Sequence, residues 1–409
     1  DYKYLIEDSG CGALIYSPDF AEVVEGALTQ AQSKPAHALG TEALLAEMGK
    51  ASPDLATAET SVEDDCFWLY SSGSTGNPKG VVHAHRVMVY TSQCSGVDTI
   101  GLMESDSCFS ASKLFHSYGF GNAMTFPLWV GATMILSDRR VTPDMSFEMM
   151  EQFKPTVFFG VPTLYAQQLQ AMEKSSPDLS SLRRCVSAGE ALPGDVFLRW
   201  REKTGTIILD GIGSTEALHI FIGNTEADHK PGASGRVVPR YEVRIMGDDG
   251  EVVEQGEIGT VHVKGGSTAK QYWNNPEKTK NTMLGDWLNT GDMYYQDEEG
   301  YFVNCGRGDD MMKVGGLWCS PFEIEARLIE HGKVLEAAVV GRADPDGLIK
   351  PEAFVVLNDA SNGGDAMEDE LRAHCRDGLA HYKYPRWFNF VEELPKTVTG
   401  KIQRFRLRE

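Results

Sequence analysis

Between Tyr70 and His85 the chain concentrates Gly73, Gly76 and Gly80, four hydroxyl side chains (Ser71, Ser72, Ser74 and Thr75) and the cation Lys79. Glycines let a backbone aim its N–H groups at an anion, hydroxyls add donors, and a lysine adds charge, so the run has the chemistry of a phosphate cradle. It is not a Walker-type loop, because Lys79 precedes Gly80 and no Ser or Thr follows the lysine. Apolar residues before it predict a strand, and the run after it predicts a helix. A plain Ser/Gly connector would leave the lysine and the helical run without a reason.

A second cluster, Asp210 to Glu216, follows another apolar run. There Thr215 offers a donor for a phosphate oxygen and Glu216 a hard oxygen ligand for the Mg²⁺ that accompanies a nucleotide triphosphate. Ser187, Ala188, Gly189 and Glu190 follow a third. Loops at several strand ends converge on one crevice in open α/β sheets, which is where such sheets bind ligands. Asp292 and Arg307 suit the two hydroxyls of a ribose, one accepting and one donating. Lys401, between Pro395 and Arg404, is a cation near the carboxyl end. Each has an ordinary reading: a turn residue for Asp292, a surface ion pair for Arg307, a solvated basic tail for Lys401. His83 and His85, two apart, read as packing or capping residues rather than metal ligands, with no Cys or carboxylate partner nearby.

The elements that must position these residues follow an α/β pattern. Runs at 67–70, 156–159, 183–186 and 206–209 read as strands, each closed by Gly, Pro or Ser/Thr. Pro193 opens a helix with Val196, Phe197 and Trp200 on one side, closed at Gly205. From about 232 to 265 the texture is short strands with Gly turns. The tail reads helix 321–330, strands 334–340 and 353–357, helix 367–380 and strand 387–391, a small α+β domain. The 409 residues exceed what one core supports, so at least two folding units are expected. With 59 acidic against 38 basic side chains the net charge is -21, which disfavours nucleic acid and anionic membrane surfaces. Residues 396 to 408 are the local exception, with Lys396, Lys401, Arg404, Arg406 and Arg408 and no acid, so small polyanions are the expected ligands. No apolar run is long enough to span a bilayer, so no membrane insertion is expected. Eight cysteines without a C-x-x-C pair suit buried thiols in a reducing, cytoplasmic compartment.

In their order along residues 67 to 404 these segments resemble the adenylate-forming superfamily, which includes acyl-CoA synthetases. The stretches 113–122, 211–219, 320–325 and 382–385 are most similar to the benzoate-CoA ligase group. The resemblance implies a large N-terminal domain of α/β sheets plus a β-barrel-like part, residues 1–308, and a small mobile α+β domain, residues 309–409. It also implies a first segment ahead of Asp1, so the chain reads as trimmed or partial, with an inactive nucleotide-binding fragment as one alternative.

Carried over by position, the resemblance puts Ser71, Ser72, Gly73, Ser74, Thr75, Gly76 and Lys79 on the pyrophosphate end of ATP. Ser187, Ala188, Gly189, Glu190, Asp210 and Gly211 would flank adenine, Thr215 would bind phosphate and Glu216 Mg²⁺. Asp292 and Arg307 would hold the ribose, Asp309 would be the hinge, and Lys401 would be catalytic with Thr215 and Glu216. Gly315 and Gly316 would admit the pantetheine arm of coenzyme A. Ser117, Tyr118, Gly119, Phe159, Ile212, Leu218 and His219 would line a flat slot for an aromatic acid, and the hydroxyl of Ser117 hints at a hydroxy- or aminobenzoate. The implied activity is ATP-dependent ligation of that acid to coenzyme A through an acyl-adenylate. Loading of the acid onto a carrier protein is the alternative activity, and monomer and homodimer both stay open.

Overall fold

The computed structural model describes residues 2–73, 76–396 and 402–408. The chain divides into two compact units, one formed by residues 1–86 with 269–283 and one by residues 87–268 with 284–409.

In the first unit, β1 (Ala13–Tyr16) pairs in parallel with β2 (His37–Gly40). β3 (Asp65–Gly73) and β4 (Gly76–Ala84) form an antiparallel hairpin, and Gln271–Tyr272 adds a third strand to β4. The cradle therefore turns back between two strands, and the helix expected after His85 begins at Arg86. The reason is local: Val81 and Val82 are β-branched, so they favour a pleated surface, and both are fully buried. Trp68 and Trp273 stack at 4.6 Å beside them.

The second unit is built on a seven-stranded sheet. Its strands are β5 (Ser107–Ser110), β6 (Thr133–Ile135), β7 (Val157–Gly160), β8 (Arg184–Ala188), β9 (Ile208–Gly213), β10 (Ile220–Gly223) and β11 (Arg236–Val237), in the order β11-β10-β9-β8-β7-β5-β6. β5 to β9 are parallel, and β10 and β11 run antiparallel. The buried runs of β7 and β8 carry apolar residues on both faces, as a parallel sheet covered by helices requires. Helix Pro162–Ala171 starts with Pro at its first position and buries Leu164, Tyr165 and Leu169. Helix Gly194–Thr204 buries Val196, Phe197 and Trp200 and ends at Gly205 with φ 74°. Trp200 meets Tyr165 edge to face at 4.8 Å in this core.

An antiparallel ladder of Glu242–Met246, Gly259–Lys264, Trp287–Gln296 and Phe302–Arg307 follows. The C-terminal part has its own three-stranded sheet, Val334–Ala343, Ile349–Leu357 and Trp387–Phe390. Helices Pro321–Ile329 and Asp365–Gly378 complete a separate core around Ile324, Leu328, Val339, Val355, Leu371 and Cys375. All eight cysteines are free thiols. Among the described residues, no helix is long and apolar enough to cross a membrane.

Candidate active site

Strand β5 has β6 on one side and β7 on the other, so the connection leaving β5 for β6 and the one leaving β7 for β8 run in opposite directions. Such a switch point opens a crevice at the carboxyl ends of the strands. A cavity of about 120 Å³ lies there. Its walls come from four strand ends: Ser112 and His116–Tyr118 after β5, Val161 after β7, Ala188–Glu190 after β8, and Gly213–Thr215 with His219 after β9. An engineered apolar cavity of about 150 Å³ holds one benzene, so this one is sized for a single ring.

The loop after β5 is fixed from below. Lys113 Nζ donates to the carbonyls of Ser137 and Arg139 at 2.6 and 2.7 Å. A Cβ on Gly119 would fall 2.1 Å from the Lys113 carbonyl oxygen, so only glycine lets the helical turn Ser117–Phe120 sit on this loop. That turn aims Tyr118 at the sheet, where its hydroxyl donates to Val186 O at 3.2 Å. His219 packs 5.5 Å from the Tyr118 ring and 4.4 Å from Phe126. Its Nε2 lies 3.1 Å from Asn122 Oδ1, which assigns the hydrogen to Nε2. Burial pushes the His219 pKa down to about 3, so the ring is neutral.

Of the seven slot residues expected, Ser117, Tyr118 and His219 line the cavity. Gly119, Phe159, Ile212 and Leu218 are buried behind its walls. Phe159 meets Tyr118 edge to face at 6.4 Å. Leu218 adopts φ 64°, a left-handed conformation unusual for leucine, at the end of a turn closed by Leu218 N to Thr215 O and Ala217 N to Ser214 Oγ. That turn presents Thr215 and Glu216, both half-buried.

Asp210, Gly211 and Ile212 lie inside β9 rather than in the loop after it. The Asp210 carboxyl is held well above the ordinary carboxylate range by burial. The Ser187 hydroxyl and the backbone N–H groups of Leu192 and Gly211 face that carboxyl and partly offset the effect of burial. Gly189, at φ 98°, turns the chain so that Glu190 follows at the cavity wall.

Asp292 and Arg307 face each other across the ladder, with Arg307 Nη1 3.0 Å from Asp292 Oδ1 and 2.9 Å from Thr290 O. The fields of Asp292, then Glu216 and Asp309, raise the Arg307 pKa, so these four groups form one electrostatic neighbourhood. Gly315 and Gly316, both at positive φ, make an exposed turn between the strands Met312–Val314 and Leu317–Cys319.

In the first unit, Ser71 pairs with Lys79 across the β3–β4 hairpin. Ser71 Oγ is buried without a hydrogen-bond partner, and Lys79 Nζ donates to Tyr272 Oη at 3.0 Å. The backbones of Ser72, Gly73 and Gly76 lie in these strands. Ser74, Thr75 and Lys401 lie outside the described residues.

Three cations of the basic strip are held in ion pairs. Lys396 pairs with Glu336, Arg404 with Glu325, and Arg408 with Asp310. Acids distant in sequence neutralise these three, which charge counting along 396–408 does not reveal. Sequence reasoning also missed Ser112, Val161, Gly213 and Ser214 on the cavity wall and Asn122 behind His219. Val161 and Gly213 had a signal, since each closes an apolar strand run.

Residues 1–273 match the family described as AMP-binding enzyme, and residues 323–401 match the AMP-binding enzyme C-terminal domain. The chain is 48% identical to the benzoate–CoA ligase of Thauera aromatica, over 100% of this chain and 78% of that protein. It is similar to the solved anthranilate CoA ligase AuaEII in complex with anthranoyl-AMP, with TM-score 0.96 and 42% identity, covering 99% of this chain and 79% of that one. It is likewise similar to a benzoate CoA ligase from Burkholderia xenovorans LB400, with TM-score 0.91 and 43% identity, covering 100% and 82%. The α/β architecture, with a large N-terminal domain and a small C-terminal one, agrees with these matches, and the chain belongs to the AMP-binding, adenylate-forming enzymes.

Proposed function

We propose that the protein ligates an aromatic carboxylic acid of the benzoate type to coenzyme A in two steps, converting ATP to AMP and pyrophosphate. The observation that carries this is the ring-sized cavity, walled by Tyr118 and His219 and bordered by the Ser214–Thr215 turn, at the ends of β5, β7, β8 and β9. The names of the similar proteins, ligases of benzoate and anthranilate, agree with it.

A carboxylate attacking the anionic α-phosphate needs charge neutralisation and in-line placement, and no covalent protein group. The first step forms an acyl O–P bond and breaks the bond from the α-phosphorus to the bridging oxygen, so pyrophosphate leaves. In the second, the coenzyme A thiolate forms a C–S bond to the acyl carbon and AMP leaves with the electron pair of the C–O bond.

In this reading the segment Ser71 to Lys79 grips the pyrophosphate end of ATP. Ser187 to Glu190, Asp210 and Gly211 flank adenine. Asp292 and Arg307 hold the ribose, and Lys401 brings positive charge to the reacting phosphate. Thr215 and Glu216 are a hard-oxygen donor set that fits magnesium, with Glu216 as the protein ligand. Bound there, Mg²⁺ supplies charge neutralisation for the phosphates.

The second step requires Lys401 to leave and a pantetheine arm to enter along Gly315 and Gly316. A boundary at 308/309 with Asp309 as hinge, joining a 1–308 domain to a mobile 309–409 domain, lets one rotation do both. The test is thioester formation with benzoate, hydroxybenzoates, aminobenzoates and linear acids. The aryl reading expects the benzoates to lead, and preference for a linear acid would sink it.

A further inference from the structure

Glu336, on the strand Val334–Ala343 of the C-terminal part, has a side chain only 9% exposed. A carboxylate that far from water needs a charge partner and hydrogen bonds. Lys396 supplies the charge, with Nζ 2.7 and 2.6 Å from the two oxygens. Gln167 Nε2 donates to Oε1 at 3.3 Å, and Gln167 belongs to helix Pro162–Ala171, which follows β7 in the large sheet. Glu336 thus touches two elements far apart in the chain.

Lys396 has a second role. It forms an antiparallel bridge with Ile402, reinforced by Gln403 N to Pro395 O at 2.8 Å, so the two ends of the 396–402 segment close into a stem. At the other end of the stem, Ile402 N donates to Glu190 Oε1 at 3.1 Å. One end is tied to the large sheet's helix through Glu336, and the other to the loop after β8.

The surface between these parts is not packed solid. A cleft of about 380 Å³ is lined by helices Pro162–Ala171, Gly194–Thr204 and Pro321–Ile329, with Glu190, Glu336 and Ile402 among its walls. Polar contacts cross beside it: Gln167 to Glu336, Gln170 to Asn358 at 3.2 Å, and Ile402 to Glu190. Ile329 packs against the large-sheet core here, yet an unfilled surface bridged mainly by directional hydrogen bonds can come apart without opening either core, as interfaces between moving domains do.

We propose that Glu336 is a positioning residue for the first half-reaction: it sets the register of the Lys396–Ile402 stem against Gln167, and the Glu336–Gln167 contact is the one released for the second. This rests on the proposed role of Lys401, the residue before Ile402 in sequence, and of the hinge. The Glu336–Lys396 pair lies within the C-terminal part and travels with it.

The test separates the half-reactions. Acyl-adenylate formation is read as acid-dependent pyrophosphate release without coenzyme A, and thioester formation is read from supplied benzoyl-adenylate plus coenzyme A. Gln167→Ala removes one long hydrogen bond, of ordinary rather than charge-assisted strength, and should slow adenylate formation about 3- to 10-fold. Glu336→Gln should slow it more, and the double variant no further than Glu336→Gln alone, because both act through one contact. Thioester formation should stay within about twofold of the parent or rise. A parallel fall in both half-reactions, multiplicative losses in the double variant, or an unchanged adenylate rate in Gln167→Ala would overturn the proposal. Gln167 is half-buried, so its truncation tests the idea even if Glu336→Gln folds poorly. Absence of acid-dependent pyrophosphate release from the unmutated protein would instead overturn the functional reading on which the proposal rests.

Discussion

Replacing Gly121 with alanine addresses the cavity without removing a polar group. The new Cβ would stand 2.4 Å from His219 Cδ2, 2.8 Å from Nε2 and 3.0 Å from Phe126 Cζ. Carbon atoms in contact settle at about 3.5–4.0 Å, so the ring must give way by roughly 1 Å. It has little room, because Tyr118 and Phe126 hold its faces and Asn122 holds Nε2. Overpacking of this kind costs about 1–3 kcal/mol, which is roughly 5- to 150-fold in an equilibrium or rate constant. The loss should fall on the acid, because the displaced ring is a cavity wall. Steady-state kinetics should show kcat/KM for benzoate lowered within that range while the KM for ATP stays near the parent value, with a folded protein by circular dichroism. An unchanged kcat/KM for benzoate in a folded Gly121→Ala variant would refute the assignment of this cavity to the acid.

Burial holds His219 neutral, with its pKa down at about 3 against an ordinary 6.5. Between those values the unfolded chain binds a proton that the folded chain does not, so this contribution is complete above about pH 6.5 and is lost as pH falls, at about 1.4 kcal/mol per pH unit. Urea unfolding at pH 7 and pH 5 should therefore differ by about 2 kcal/mol more in the parent than in His219→Gln; equal differences would show that His219 is not the titrating group. Arg307→Ala removes the partner of Asp292 and should raise the KM for ATP about tenfold with little effect on the acid, and an unchanged ATP dependence would separate this pair from the nucleotide. Lys401→Ala should depress acyl-adenylate formation far more than thioester formation from a supplied acyl-adenylate, and equal losses would argue against that division of labour.

Strands β7, β8 and β9 were readable because apolar runs ended by Gly, Pro or Ser mark buried parallel strands, and their observed bounds fall within a few residues of the expected ones. The helix carrying Val196, Phe197 and Trp200 was readable from its spacing and from Pro193 and Gly205 at its ends. The second strand of the cradle was not legible because Val81 and Val82 become a strand only through pairing with β3 and with Gln271–Tyr272, whereas the helix expected after His85 begins at Arg86. Asp210 looked like a loop residue for a similar reason, since burial inside β9 depends on its neighbours β8 and β10. Ser112, Val161 and Gly213 meet at one cavity because of the strand order, which no local pattern encodes. The pairing of Lys396, Arg404 and Arg408 with Glu336, Glu325 and Asp310 was hidden because the acids lie roughly 60 to 100 residues upstream.

The central claim is that an aromatic acid is activated as an adenylate before coenzyme A takes part. Exchange of labelled pyrophosphate into ATP, with coenzyme A absent, tests it most directly. Exchange should require both Mg²⁺ and benzoate or a close ring-substituted relative, with AMP and aroyl-CoA accumulating once coenzyme A is added. Exchange that ignores the aromatic acid, or formation of ADP and phosphate in place of AMP and pyrophosphate, would contradict it.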